Sequence, residues 1–531
     1  MSYLILMISP LTLIQIILAL SISWIRMTIA LGLSILFSII VGVLAAINGH
    51  AEKIIIPALD ILQSIPILSF FPLALYAFMG LHPLIGPEIA AIFLIFTSQV
   101  WNIAFGVYEG VKLLPRDLLD TSKSLGFRSI QRFIGLYLPA SFPKIAANIP
   151  ASWSNGLYFL VACEIISIGE REVKLFGIGS LSADYILAGR YLEFWISMIF
   201  VIVAVILTSI LIFIPLMRLS ERYRFEAYMG EVPRVWIERV TRPFGEAIRS
   251  AFMEASIPGY GRLSSIMESL VERVRAYKIH AITIILIISS AALLYYIPTV
   301  DYVSSSKLLL SGFQRLGVIK PLTMIGFSLL RVLTAISIAM AWAMPLSILI
   351  YEVRGLEKVA IPLLQVFASL PSSLLVPFIM RFVSDLNLPM EIGGVLIIVL
   401  GVQWYLFYFI YGAMRSVPSE EVEVCRLLRI RGLRLVKHLY LPRSLPSIIM
   451  GLMVAMGGGW NTLIIAERLS LDGHVWEVEN PGIGKEISLA VSMNDQALLA
   501  AATIWMAGFV VLMNRLFWRR LHERVVEKVR M

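Results

Sequence analysis

A chain of 531 residues with 59% hydrophobic and 15% charged residues is too apolar for an ordinary soluble enzyme. It is long enough for about twelve membrane helices of ~20 residues each. Its net charge of +9 could suggest nucleic acid, but the Lys and Arg gather between apolar runs, where positive-inside bias places them in the cytoplasm.

In chain order, the first half offers apolar runs near 3–24, 28–48, 56–79, 88–108, 145–166 and 192–217. The opening run is too long for a signal-peptide core and has no small-residue cleavage site, so it is expected to stay as a first helix. The basic stretch Lys112–Lys144 belongs inside. Counting spans in both directions then puts the N-terminus inside, Leu81–Glu88 outside and Arg218 onward inside.

Residues 218–278 mix Arg and Glu with apolar residues and contain the breakers Pro233, Pro243 and Pro258, which predicts a cytoplasmic linker. Spans resume near 280–298, 321–351, 358–381, 391–413, 446–467 and 497–517, before a basic, cytoplasmic tail from Arg519 to Arg530. The expected division is 1–217, a linker at 218–278, and 279–531.

The second half repeats the first. Pro57, Pro66 and Pro72 recur as Pro362, Pro371 and Pro377, each displaced by 305 positions. Trp101 recurs as Trp404, Glu164 as Glu467, and Gly177-Ile178-Gly179 as Gly482-Ile483-Gly484. Six spans return the chain to its starting side, so the expected fold is an all-α polytopic membrane protein, two parallel six-helix repeats about an axis along the membrane normal. The repeated prolines are expected to kink helices around a path between the halves.

Gly482-Ile483-Gly484-Lys485 lacks the first glycine of a phosphate-cradling loop, and Glu486 stands where Ser or Thr must hold the metal, so no nucleotide site is expected there. These glycines and Gly177–Gly179 are expected to serve close helix approach. Cys163 and Cys425 make neither a disulfide framework nor a zinc spacing, and the six His are scattered. The chain is expected to hold no metal and no cofactor.

Two amphipathic basic pieces between spans share Leu-Tyr-Leu-Pro-x-Ser-x-Pro-x-Ile, at 136–145 and 439–448. The first follows Asp120-Thr121-Ser122 and Gly126, the second Glu423-Val424-Cys425 and Arg429. This pattern resembles the EAA loop of binding-protein-dependent permeases of ATP-binding cassette importers, whose coupling helix sits in a groove of the ATP-hydrolysing subunit. The resemblance implies a fused, two-unit permease of the type I importer fold. It also implies two separate ATPase subunits that hold ATP and Mg, a solute-binding protein outside the cell membrane, and no enzyme activity in this chain. Asp120, Thr121, Ser122 and Gly126 match the loop; Glu423 matches its acid, while Val424, Cys425 and Arg429 depart from it. Gly126 is expected to allow close approach of the partner.

Runs such as Ser64-Ile65-Pro66, Phe96-Thr97-Ser98-Gln99 and Leu160-Val161-Ala162-Cys163-Glu164 look most like the permeases grouped with nitrate, sulfonate and bicarbonate systems. That similarity implies a small anion as solute. A stand-alone twelve-span secondary transporter is the alternative; it would need ion-coupling acids at span centres and leaves the repeated loop unexplained. A channel or scaffold leaves it equally unexplained. Arg26 and Glu164, with their equivalents Arg331 and Glu467, are candidates for outer-mouth charge pairs, set against snorkelling to the headgroups.

Overall fold

The computed structural model describes residues 10–220, apart from 83–84 and 166–174, and residues 302–530, apart from 354, 369–370, 416, 418, 431 and 472. The linker beyond Ser220 and the apolar run at 280–298 lie outside the described residues.

The first half begins with α1 (Pro10–Ile47), then α2 (Gly49–Ser64), α3 (Ile67–Leu81), α4 (Gly86–Lys112) and the short α5 (Arg116–Ser124). A π-helical turn at Phe133–Tyr137 leads into α6 (Leu138–Ile165), followed by α7 (Ile178–Leu187) and α8 (Tyr191–Thr208), which runs on to Ser220. The second half has α9 (Tyr302–Leu316), α10 (Ile319–Glu352), α11 (Leu356–Ala368), α12 (Val376–Asp385), α13 (Met390–Arg415) and the short α14 (Ser419–Leu427). It closes with α15 (Leu441–Glu467), a hairpin of β1 (Arg468–Leu471) and β2 (His474–Glu477), then α16 (Ile483–Ser492), α17 (Gln496–Met513) and α18 (Arg519–Arg530). The antiparallel hairpin, with Leu469 opposite Trp476, has no counterpart in the sequence-based expectation.

Among the described residues, seven helices are long and apolar enough to cross a membrane, or eight if the bent pair α2/α3 counts as one span. Two of the expected spans, 3–24 and 28–48, are corrected to one. Their described parts, 10–24 and 28–47, join in α1, and Arg26 lies within that helix instead of opening a second span. A charge inside an apolar run suggests a boundary, but residues 24–28 contain neither Gly nor Pro, and a paired Arg can remain inside a helix.

Small residues on α1 let α4 approach closely. Ser34 Oγ donates to the Phe96 carbonyl at 3.3 Å and Ser38 Oγ to the Val100 carbonyl at 3.1 Å, both 62 positions on. A constant offset means parallel helices. Arg331–Glu391 and Ser347–Phe407, each 60 apart, give α10 and α13 the same arrangement. Parallel neighbours require the intervening chain to cross back, and α2/α3 does so as a span bent by 91°. The bend falls at Ile65–Pro66, and α12 is likewise preceded by a tight turn at Ser372–Leu375 directly after Pro371. The middle proline of each triplet therefore marks a break, whereas Pro57 and Pro72 sit inside continuous helix. Because α1 runs parallel to α4, its Pro10 end stands away from α5, not on the same side as the even span count requires.

The halves meet through exchanged contacts. Ile67 N in α3 donates to Asn461 Oδ1 in α15 at 2.5 Å, and Ser373 Oγ before α12 donates to the Tyr158 carbonyl in α6 at 2.9 Å. Thr503 Oγ1 in α17 donates to the Ser69 carbonyl, and Phe378 in α12 stacks on Phe194 in α8 at 5.8 Å. Each broken span thus rests on the other half.

Candidate functional site

The two short helices after α4 and α13 are built alike. In α5, Asp120 is exposed and pairs with Lys123 at 2.9 Å, Thr121 is exposed, and Ser122 is buried with its Oγ on the Leu119 carbonyl. The helix is closed by the Leu125 N–H on the Thr121 carbonyl and the Phe127 N–H on the Ser122 carbonyl, both 2.9 Å. That closure needs a left-handed residue at 126, and Gly126 supplies it with φ of 71°. In α14 the Leu428 N–H reaches the Val424 carbonyl at 3.0 Å and the Ile430 N–H reaches the Cys425 carbonyl at 2.8 Å. Arg429 there adopts φ of 61°.

Arg429 therefore reproduces the turn made by Gly126, at a cost of about 1–2 kcal/mol for a left-handed residue with a Cβ. The space around Gly126 is open within this chain, so its requirement here is conformational. Both loops present bare apolar tips: Leu125 is 68% exposed and Leu428 67%, with Glu423 and Val424 exposed beside the latter. Such residues on neighbouring turns are what a protein partner would cover.

At the other end of α4 and α13 lie two charge clusters, each built on a buried Arg–Glu pair with a second, part-exposed carboxylate. Arg26 Nη1 donates to Glu164 Oε1 at 2.7 Å, and the rest of the guanidinium grips Glu88 through two bonds of 2.6 Å. Glu164 Oε1 also accepts from Ser23 Oγ at 2.6 Å, and Oε2 from the Gly179 N–H at 2.8 Å. Ser23 Oγ in turn accepts from the Ile178 N–H at 3.0 Å. A Cβ at Gly177 would collide with the Glu164 carboxylate, and one at Gly179 would meet the Val161 Cα of α6 at 3.1 Å, so the Gly-Ile-Gly turn admits both a buried side chain and the close approach of the neighbouring helix.

The second half repeats this. Arg331 Nη1 donates to Glu467 at 2.7 Å and grips Glu391 through two bonds of 2.7 Å; Ser328 and the Lys485 N–H complete the Glu467 shell. Arg331 reaches further, to the Pro481 and Asn480 carbonyls. Glu164 and Glu467 are fully buried, and Arg26 and Arg331 are 3% and 5% exposed, so none of the four extends to a surface. An Arg that engages two carboxylates satisfies more of its five donors than a single pair could.

Glu88 and Glu391 were not among the sequence candidates. Their signal was the repeat itself, because Glu391 lies 303 positions after Glu88, the displacement of Glu164 to Glu467. Along the seam between the halves, Tyr405 OH in α13 donates to Asn155 Oδ1 in α6 at 2.8 Å, a contact that no motif announces.

The chain matches the family model for the binding-protein-dependent transport system inner membrane component twice, over residues 34–225 and 334–530. It is 28% identical over 160 residues to a bicarbonate transport system permease protein of Synechococcus elongatus, covering 30% of this chain and 55% of that protein. It is 25% identical over 190 residues to a nitrate import permease protein of Leptolyngbya laminosa, covering 36% of this chain and 64% of that protein. The chain thus spans between about half and two thirds of the length of these curated relatives.

Proposed function

The chain belongs to the binding-protein-dependent transport system inner membrane components, with one match in each half, and from this we propose that it is the permease of an ATP-binding cassette importer for a small anion. Its two units, 1–217 and 279–531, are joined by the linker 218–278 and form the solute path between them. Two ATPase subunits dock on α5 and α14 and supply ATP and Mg; the chain itself is not an enzyme. A solute-binding protein delivers a nitrate-, sulfonate- or bicarbonate-type anion from outside. The chain lies in the cell membrane with the loops and α18 at the cytoplasmic face, which sets the Pro10 end of α1 toward the other.

The observation that carries this reading is the double family match combined with the same left-handed turn and the same exposed leucine in both loops. Basic residues beside both loops, Lys112, Arg128, Arg415 and Arg434 among them, support the sidedness. An ion-coupled transporter would need a reachable acid inside the membrane, and Glu164 and Glu467 are already saturated by donors.

The test is uptake into proteoliposomes that contain the chain with its co-purified ATPase and binding protein, with labelled bicarbonate, nitrate and an alkanesulfonate as probes. Uptake of one probe that requires ATP supports the proposal. Uptake driven by an ion gradient without ATP would establish the secondary transporter.

A further inference from the structure

Opposite the charge clusters, at the loop end of each half, there is a second repeated fastening. In the first half, Tyr108 OH and Lys112 Nζ at the end of α4 both donate to Glu52 in the first turn of α2, at 2.5 and 2.6 Å. In the second half, Arg415 Nη1 at the end of α13 pairs with Glu357 in the first turn of α11 at 3.2 Å. Glu357 lies 305 positions after Glu52, the displacement of the prolines, and Arg415 lies 303 after Lys112, the displacement of Glu164 to Glu467. Tyr411 occupies the place of Tyr108 by the same displacement. Two acids and two cations kept in register through a duplication whose overall sequence has diverged point to a shared mechanical task.

The position suggests that task. Lys112 and Arg415 are the last residues of α4 and α13, a few residues before α5 and α14 begin. Glu52 and Glu357 are the near ends of α2 and α11. A helix such as α2, 16 residues long, is a rod of about 24 Å. Its far end is the break at Ile65–Pro66, and there the chain is hydrogen-bonded to Asn461 of the other half. Asn461 Nδ2 is itself held by the Gly457 carbonyl at 3.1 Å, which fixes its Oδ1 toward Ile67. In the second half the far end of α11 leads to Ser373, bonded to the Tyr158 carbonyl of α6. Tyr158 and Asn461 are equivalent residues, 303 positions apart.

Resting on the permease reading above, we propose that Glu52 with Tyr108 and Lys112, and Glu357 with Arg415, fasten each loop-bearing helix to a lever whose far end acts on the opposite half. Movement of α5 by its ATPase shifts the end of α4, the clamp carries α2 with it, and the break pulls on α15 rather than on α6. The α14 loop acts on α6 in the same crosswise way through α11. Each ATPase thus opens the seam from the far side, so neither half can separate without the other. Rigid helices with fastened ends transmit such displacement, whereas an unclamped end would dissipate it.

The experiment measures solute moved per ATP hydrolysed in the reconstituted full complex, with bicarbonate as probe. The double variant Glu52→Gln, Glu357→Gln is expected to lower this ratio about five-fold or more, the lower end of measured inter-site couplings. Exchange of the clamp's charges, Glu52→Lys with Lys112→Glu, is expected to restore most of the loss caused by Glu52→Lys alone. An unchanged ratio, or a fallen ratio that the exchange does not rescue, overturns the clamp.

Hydrogen exchange on the purified full chain in lipid nanodiscs reads the lever without ATPase or solute. Glu52→Lys should raise exchange at 65–69 and at 457–463 while leaving 155–160 unchanged, and Glu357→Lys should raise 155–160 instead. A response confined to the variant's own half refutes the crosswise lever even if the chain proves to be a permease. Failure of wild-type ATP-driven uptake bears on the permease reading alone.

Discussion

Removing Arg26 tests whether the buried cluster is one unit. In Arg26→Met, the fully buried Glu164 carboxylate keeps Ser23 and the Gly179 N–H but loses its counter-charge. Breaking a buried pair from one side costs roughly 3–5 kcal/mol, because an uncompensated charge is left in a low-dielectric site. Glu164→Gln should cost less, about 1–3 kcal/mol, since Arg26 retains its two bonds to Glu88 and the chief penalty is the Gly179 N–H facing an amide NH₂.

Arg26→Met combined with Glu164→Gln removes both buried charges, so its cost should fall short of the sum of the single changes by at least ~1 kcal/mol. Exchanging the charges, Arg26→Glu with Glu164→Arg, should fail to rescue, because the new Glu would face Glu88 and the new Arg would have to fit against Gly177. Equilibrium unfolding of the purified chain in mild detergent, followed by tryptophan fluorescence, gives these differences. Strictly additive losses, or a larger loss in Glu164→Gln than in Arg26→Met, would refute the cluster as a cooperative unit.

Gly126→Ala should destabilise the α5 turn by about 1–2 kcal/mol with no steric clash, while Arg429→Gly should leave the α14 turn equal or more stable; ATPase retention on an affinity-tagged chain would register both. Leu125→Asp or Leu428→Asp should weaken that retention more than Asp120→Ala, because the leucines are the bare apolar tips; the same pull-down decides it. Gly177→Ala should lower thermal stability far more than Gly126→Ala, since its Cβ would displace a buried carboxylate; a melting curve in detergent distinguishes them. Tyr405→Phe and Asn155→Ala should show a coupling of about 1 kcal/mol in a double-mutant cycle on stability, and zero coupling would mean that the seam bond contributes nothing.

Composition and local pattern were sufficient for the membrane class, the duplication and the two loops. Apolar length is a property of the chain itself, and a turn closed by hydrogen bonds three to five residues apart leaves its mark within one short window, as Gly126 does. Arg429 shows the limit of that window: its identity suggested a different loop, yet the neighbouring N–H groups and carbonyls impose the same left-handed conformation. The repeated Arg and Glu were visible as special residues, but what they touch was not.

Whether an Arg ends a helix or sits inside one depends on whether a carboxylate waits beside it, and Glu88 lies 62 positions away on a helix whose direction no local pattern reveals. The joining of 10–24 and 28–47 into α1, the third member of each charge cluster, the hairpin after Glu467 and the exchanged contacts at Asn461 and Tyr158 were all decided by tertiary structure. Each depends on the spacing and direction of helices distant in the chain, and the energy of a buried polar group is set by the partner that packing brings to it.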